Sequence, residues 1–276
     1  MKVTIVTPVF NGMPWLPECI HSVAEQRLGV EVEVEHLVFD GGSTDGGVEW
    51  LREHATLGYE AVIGPDGGQT DALINGFTRA TGDILGWLNA DDVLEPGALE
   101  RVAQAFAADP GLAMVTAACL LIDSEGAITG AIAPPPTATL RGLLCHPTNP
   151  AQPATFFSAE AYRRSGGLDR RYDLAMDVDL WLKLAAVGSI RILPTEVLAR
   201  FRLHPTAKSV AAYGAAVRQD LRIRRGHGMP LRSRAGVALI RAGFLQPMVS
   251  PWTRALRRLA RRLLLGPRDR GASART

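Results

Sequence analysis

A chain of 276 residues, 47% of them hydrophobic and 21% charged, is long enough to bury a substantial core, and the composition fits one catalytic domain plus an appendage. Its three cysteines, Cys19, Cys119 and Cys145, are scattered and odd in number, which excludes a disulfide framework and gives no metal cluster. The formal charge of +2 hides a division described below, and no uncharged stretch is long enough to span a bilayer.

The first run, Lys2 to Phe10, reads as a strand that breaks at Asn11-Gly12, and a helix from about Trp15 to Gln26 follows. The chain opens on this strand and shows no leader, so a cytoplasmic placement is expected. Val32 to Phe39 alternates and then turns apolar, as a strand entering a buried sheet does. It ends in Asp40-Gly41-Gly42-Ser43-Thr44-Asp45-Gly46, which puts an acidic residue and a glycine turn at the carboxyl end of a strand, where open parallel sheets bind ligands. An ordinary turn with Asp45 capping a helix over Val48 to Arg52 is the plainer reading of the same residues. Strand, helix, strand and helix in this order form a right-handed βαβ unit. Neither Gly-x-Gly-x-x-Gly after the first strand nor Gly-x-x-x-x-Gly-Lys anywhere is present, so a nucleotide must be held another way.

Ile84 to Leu88 is a short apolar run suited to a buried strand, and Asn89-Ala90-Asp91-Asp92 follows at its end. Adjacent carboxylates repel unless a cation or donors compensate, and a hard divalent ion does so. Alternatively, one of the two caps a helix starting near Glu95-Pro96-Gly97. A second acidic pair, Asp177-Val178-Asp179, opens a helical segment through Leu180 to Ala185, where free amides hold carboxylates ionised; a double N-cap is the structural alternative.

Taken together these stretches resemble the inverting family 2 glycosyltransferases, whose catalytic domain has the GT-A fold. The resemblance rests on Thr7-Pro8-Val9-Phe10-Asn11, Asp40 to Gly46, Pro65-Asp66-Gly67-Gly68-Gln69-Thr70-Asp71-Ala72, Ala80 to Asp92, Gly166-Gly167-Leu168-Asp169 and Ala175 to Leu182, in the family's order over roughly residues 1 to 205. It implies an α/β fold with a mixed, mainly parallel sheet flanked by helices and a nucleoside diphosphate sugar donor, with uridine the family-level expectation. Donor contacts are implied at Thr7, Val9, Asp40, Asp66, Gly68 and Asp91, and a manganese or magnesium ion at Asp92 and His204. Asp177 falls on the position of the general base, with Asp179 and Trp181 as acceptor-side or secondary residues. Glycines at 67 and 68 and the helix from Asp71 to Arg79 would floor the diphosphate. The chain departs from the family pattern in Gly64-Pro65-Asp66, in Ile74-Asn75-Gly76, which lacks the family's lysine, and in Met176, where the family often has Glu. Arg202 and Lys208 are further candidates for phosphate contact.

Residues 200 to 276 hold 18 of the 30 Lys and Arg but only Asp220 and Asp269 among the acids, a net +16 against −14 for the rest. In helical projection Trp252, Leu256, Leu259, Ala260 and Leu263 share one face, opposite Arg254, Arg257, Arg258 and Arg261. This pattern suits an anionic membrane surface, with packing on the catalytic domain or on a second subunit of a homodimer as the alternative. The tail lacks interleaved aromatics, so nucleic acid is not expected as a partner.

The expectation is therefore a catalytic domain over 1–210 and a basic helical appendage over 211–276. The enzyme would be metal-dependent and hexosyltransferase-type, acting at the inner face of the membrane on a glycan, lipid-linked saccharide or glycolipid. A sugar-nucleotide nucleotidyltransferase or a non-catalytic membrane adaptor are the alternatives.

Overall fold

The computed structural model describes residues 1–27 and 32–245. Strand β1 (Lys2–Val9) is rich in β-branched residues and buried on both faces, as an inner strand of a parallel sheet must be. Helix α1 (Leu16–Ala24) leads to β2 (Glu33–Asp40), which pairs with β1 in parallel from Lys2 opposite Glu33 to Val9 opposite Asp40. Asp40 is the last residue of β2, at the strand's carboxyl end as expected. Helix α2 (Gly47–Glu53), β3 (Glu60–Ile63), α3 (Gln69–Arg79) and β4 (Ile84–Trp87) complete a parallel half with β3, β2, β1 and β4 side by side.

Asp45 is not the cap of α2: that position belongs to Gly46, at φ 91°, and the Asp45 carboxylate accepts from Gly47 N (3.1 Å) and from Met13 N (2.7 Å), tying two loops together. Likewise α4 (Ala98–Ala107), which follows the short β5 (Val93–Leu94), is capped by Gly97 in the left-handed region with no side-chain bond, so neither Asp91 nor Asp92 serves it.

The second half holds β6 (Leu112–Ile122), β7 (Ile128–Ile132), α5 (Leu140–Cys145), β8 (Thr155–Ser158), α6 (Ala159–Ser165), α7 (Met176–Val187) and β9 (Ser189–Arg202). Among the described residues nine strands form one sheet in the order β3-β2-β1-β4-β8-β6-β9-β5, with β7 on β6. β8 runs antiparallel between β4 and β6, and the long ladders β1–β2 and β6–β9 are parallel. The sheet is therefore mixed, with most of its pairing parallel, as expected.

Alternation along the inner strands splits the core in two. Val3, Ile5 and Ile84 face α1 and α4 with Val23, Leu99, Val102 and Phe106, whereas Val6, Leu85 and Trp87 face α3, α6 and α7 with Leu73, Phe77, Leu180 and Leu184. Gly86 marks a close approach within the sheet: a Cβ there would stand 2.7 Å from Ile5 Cδ1 and 2.8 Å from the Phe156 ring.

Beyond β9 come α8 (Lys208–Ala211), α9 (Tyr213–Gly226) and α10 (Arg234–Leu245). α9 packs on α7, and α10 on α9 and α5. Among the described residues no helix is long and apolar enough to cross a membrane. The amphipathic pattern from Trp252 to Leu263 lies outside the described residues.

Candidate active site

β1, β2 and β4 run parallel, so their carboxyl ends lie on one edge and bring the segments after Val9, Asp40 and Trp87 to one side of the sheet. There the chain encloses a cavity of about 1240 Å³, larger than the usual small-molecule pocket. Its walls include Val9, Phe10, Asp66, Gly68, Asp91, Asp177 and His204.

The floor comes from the turn before α3. Asp66 Oδ1 accepts from Gly68 N at 2.8 Å, and Gly68 sits at φ 101°, ψ −178°, a conformation reserved for glycine. α3 begins at Gln69, two residues earlier than expected. Gln69 Nε2 donates to Asn89 Oδ1 (2.8 Å), while its Oε1 accepts from Lys208 Nζ (3.2 Å). Lys208, the first residue of α8, thus brings an ammonium group to the start of α3. Desolvation at this wall lowers the Lys208 ammonium from its ordinary pKa.

Asp91 and Asp92 have opposite fates. Asp91 lines the cavity, and its Oδ2 lies 2.9 Å from His204 Nε2. The His204 ring is held from its other side, with Nδ1 2.8 Å from Thr206 Oγ1, and packs at a 39° tilt against Trp15 with ring centroids 4.1 Å apart. Asp92 is fully buried and away from the cavity wall: Oδ1 accepts from Arg202 N (3.0 Å) and Oδ2 from Asn89 Nδ2 (3.2 Å). Burial first, and then the Asp91 charge, push its carboxyl well above the usual range. The expectation that Asp92 faces a metal is thus corrected by the geometry: the turn after β4 points Asp91 outward and folds Asp92 inward. Arg202 is also corrected. It is buried and donates to Asp91 O (3.0 Å), Asp123 O (3.1 Å) and Glu18 Oε2 (2.5 Å), bracing the turn from beneath rather than meeting a phosphate.

Asp91 and His204 offer a hard oxygen and an imidazole side by side, a donor set that suits manganese or magnesium. Among the described residues no three His, Cys, Asp or Glu side chains converge as a metal cage. Two protein donors suit an ion that takes its other ligands from a phosphate-bearing substrate and water.

On another wall, Asp177 stands in the first turn of α7. The alternative of a double N-cap fails, because Ala175 is the cap residue and receives no side-chain bond from either acid. Instead Gln219 of α9 takes the Leu174 and Ala175 amides on its Oε1 at 2.9 and 2.7 Å. Desolvation lifts the Asp177 carboxyl to about 6, with the Val178 amide opposing and the Asp220 charge adding to the rise.

Asp179 and Trp181 leave the cavity. Asp179 is buried and held between Lys183 Nζ (2.6 Å) and His227 Nε2 (3.0 Å), while Trp181 sits in the core with its ring 5.9 Å from Phe157. An α-helix turns residues two apart onto opposite sides, so Asp177 and Asp179 cannot share a wall. Thr7 is also below the surface, 2.9 Å from His36 Nε2. Asp40 lies just behind Gly41: Oδ1 accepts from Gly42 N (2.9 Å) and Ser43 N (2.7 Å), and Oδ2 is buried without a hydrogen-bond partner.

Asn89 is the hub that sequence reasoning missed. Its Oδ1 also accepts from Trp87 Nε1 (2.7 Å) and its Nδ2 donates to Gln152 Oε1 (3.1 Å), so it ties β4, α3 and the 3₁₀ turn at Gln152–Ala154 together. Its place at the head of Asn-Ala-Asp-Asp was a usable signal; Gln152, more than sixty residues on, carried none. Phe10 is 70% exposed at this cavity, a conspicuous apolar surface for a ring next to a buried strand.

The family model for glycosyl transferase family 2 matches residues 4–130. An uncharacterized glycosyltransferase of Mycobacterium tuberculosis strain H37Rv is 30% identical over 188 residues, covering 67% of this chain and 69% of the relative. This chain belongs to glycosyl transferase family 2. Of two other curated relatives that the family 2 chain matches it spans only 33% and 27% of the length. Among solved structures, Staphylococcus aureus TarS 1–349 in complex with UDP-GlcNAc superposes with a TM-score of 0.64 at 14% identity, covering 88% of this chain and 70% of that one. A mannosyltransferase from Pyrobaculum calidifontis in complex with GDP-Man and Mn2+ gives 0.60 at 20% identity, covering 96% and 76%. These two likenesses bear on the fold, and it is the GT-A arrangement of sheet and helices.

Proposed function

We propose that this family 2 chain is a metal-dependent, inverting glycosyltransferase that moves a hexosyl group from a nucleoside diphosphate to a hydroxyl of a glycan, lipid-linked saccharide or glycolipid. The observation that carries the reading is the placement of the Asp91–His204 pair and of Asp177 on the walls of one cavity. Asp91 and His204 hold the manganese or magnesium ion, which when bound neutralises charge on the departing diphosphate. Lys208, held at the glycine floor by Gln69, adds a protein cation to the same end. Asp177 accepts the proton of the acceptor hydroxyl as that oxygen attacks the anomeric carbon from the side opposite the diphosphate.

For the donor, Phe10 offers a stacking face for the base, and the unpaired Asp40 Oδ2 is an acceptor for a base N–H. Uridine, thymidine or guanosine diphosphate sugars fit that demand, since each of these bases presents such a donor. Support comes from the neighbours solved with UDP-GlcNAc and with GDP-Man and Mn2+. The basic stretch from residue 211 onward is proposed to rest on an anionic membrane surface, on the strength of its charge excess. Binding to vesicles with and without phosphatidylserine tests that part separately.

The central test is a thermal-shift panel of nucleoside diphosphates and their sugars, with and without manganese. Stabilisation by one nucleotide that needs both metal and Asp91 is the expected result. Release of pyrophosphate from a nucleoside triphosphate would move the reading to a nucleotidyltransferase, and silence toward every nucleotide would move it to a non-catalytic adaptor.

A further inference from the structure

Helix α9, part of the stretch that charge pattern alone marks as appendage, binds both segments that flank Asp177. On one side Gln219 takes the Leu174 and Ala175 amides, at 2.9 and 2.7 Å, and donates through Nε2 to Asp173 Oδ1 at 3.0 Å. On the other, Arg224 is 1% exposed and forks into the end of α5 and the loop beyond it. It donates to the carbonyls of Leu143, Leu144 (3.3 Å) and His146 (3.2 Å) and to Asn149 Oδ1, while its Nε pairs with Asp220 Oδ1 at 2.5 Å. Asn149 and its neighbour Thr148 line the cavity along with Asp177. Removing a buried guanidinium from so many carbonyl partners is costly, so the arrangement fixes its segments firmly.

We propose that Gln219, Asp220 and Arg224 are the positioning residues of Asp177, fixing the start of α7 and the 143–149 segment against one helix and setting the charge that Asp177 faces. The inference rests on the reading of Asp177 as the base. Asp220 raises the proton affinity of Asp177 and Arg224 lowers it. Several other charged groups nearby are engaged elsewhere, while α9 also carries Arg218, Arg222 and Arg225. Asp179 of α7 pairs with Lys183 and with His227 at the end of α9, and Asp173 is held by Gln219. Arg164 of α6 binds Val187 O at the far end of α7, and Lys208 of α8 is held by Gln69. α5 brings Arg141 and Cys145, followed by His146, whose carbonyl faces Arg224.

The test is a carboxyl-13C NMR titration of Asp177 in the full chain without substrate, the signal being assigned with Asp177→Asn. Asp220→Asn keeps the shape and the acceptor for Arg224 but removes the charge, and it should lower the Asp177 midpoint by about one pH unit. Arg224→Gln should raise it. If Arg224→Gln does not fold, the sign and size in Asp220→Asn decide alone. A folded Asp220→Asn protein with an unmoved Asp177 midpoint overturns the proposal. Transfer activity surviving in Asp177→Asn would instead sink the base reading, an outcome this titration does not depend on.

Discussion

His204 Nε2 and Asp91 Oδ2 meet at 2.9 Å on the cavity wall although 113 residues separate them in the chain. Asp92, adjacent in sequence, faces the opposite way into the Arg202 backbone. If the pair holds the metal, Asp91→Ala should weaken metal-assisted nucleotide binding on the order of 10- to 100-fold while leaving the melting temperature of the free protein nearly unchanged. Asp92→Ala should do the reverse, costing about 2 kcal/mol of stability because the Arg202 and Asn89 donors lose a buried acceptor. Calorimetric titration and thermal melts of the two variants separate the roles.

Asp177→Asn should reduce transfer about 1000-fold while preserving donor affinity, as loss of a general base does. The same substitution should stabilise the fold at high pH. The folded carboxyl titrates at about 6, above its unfolded value of 3.8, so the folded state binds this proton more tightly. The penalty is absent below the unfolded value, builds as pH rises toward about 6 and is complete above it. The variant should therefore gain on the order of 2 kcal/mol at pH 8 and nothing near pH 3.5, a contrast that denaturant melts at the two pH values would show.

A base that must be ionised also fixes the shape of the rate profile. kcat/KM should climb with pH through about 6, the midpoint to which desolvation lifts Asp177. A profile flat from pH 5 to 8 would count against Asp177 as the base.

Glu35 gives a prediction far from the site. Burial pushes its carboxyl up, but hydrogen bonds from Thr4 Oγ1, from Thr81 N and Oγ1 and from Lys2 outweigh that and hold it at about 2. The folded value is depressed, so this stability is present above the ordinary carboxylate range and is lost as pH falls through about 2. Glu35→Gln should cost on the order of 2 kcal/mol at pH 7, with the gap to wild type closing toward pH 2.

Phe10→Ala should weaken nucleotide binding about tenfold if the ring stacks on the base. Being 70% exposed, it contributes little to the core, so the free protein should melt as wild type does. Equal losses of binding and stability would show that the ring is packed, not presented.

The order of motifs along the chain was enough to determine the fold, because strand periodicity, the glycine turns after strands and the acidic residues at strand ends are all local signals. They located β1, β2 and β4 and the turns that line the cavity, and the family resemblance built on them pointed to Asp66, Gly68, Asp91, His204 and Asp177, all of which stand on its wall. Which of two neighbouring carboxylates faces the ligand is a matter of a single turn's direction, and only the packing of β9 against that turn sends Asp92 to the Arg202 amide and leaves Asp91 for His204. Helical periodicity separates Asp177 from Asp179, but which side meets the cavity depends on the packing of α9, whose Gln219 holds the Leu174 and Ala175 amides and beyond whose end His227 meets Asp179. Asn89, Gln152 and Lys208 come from three distant segments, and nothing local announces that their side chains converge. Arg224 shows the limit of reading charge along the chain: an arginine in a basic stretch looks solvated until the fold surrounds it with carbonyls, and burial is a property of the whole assembly of elements rather than of any one of them.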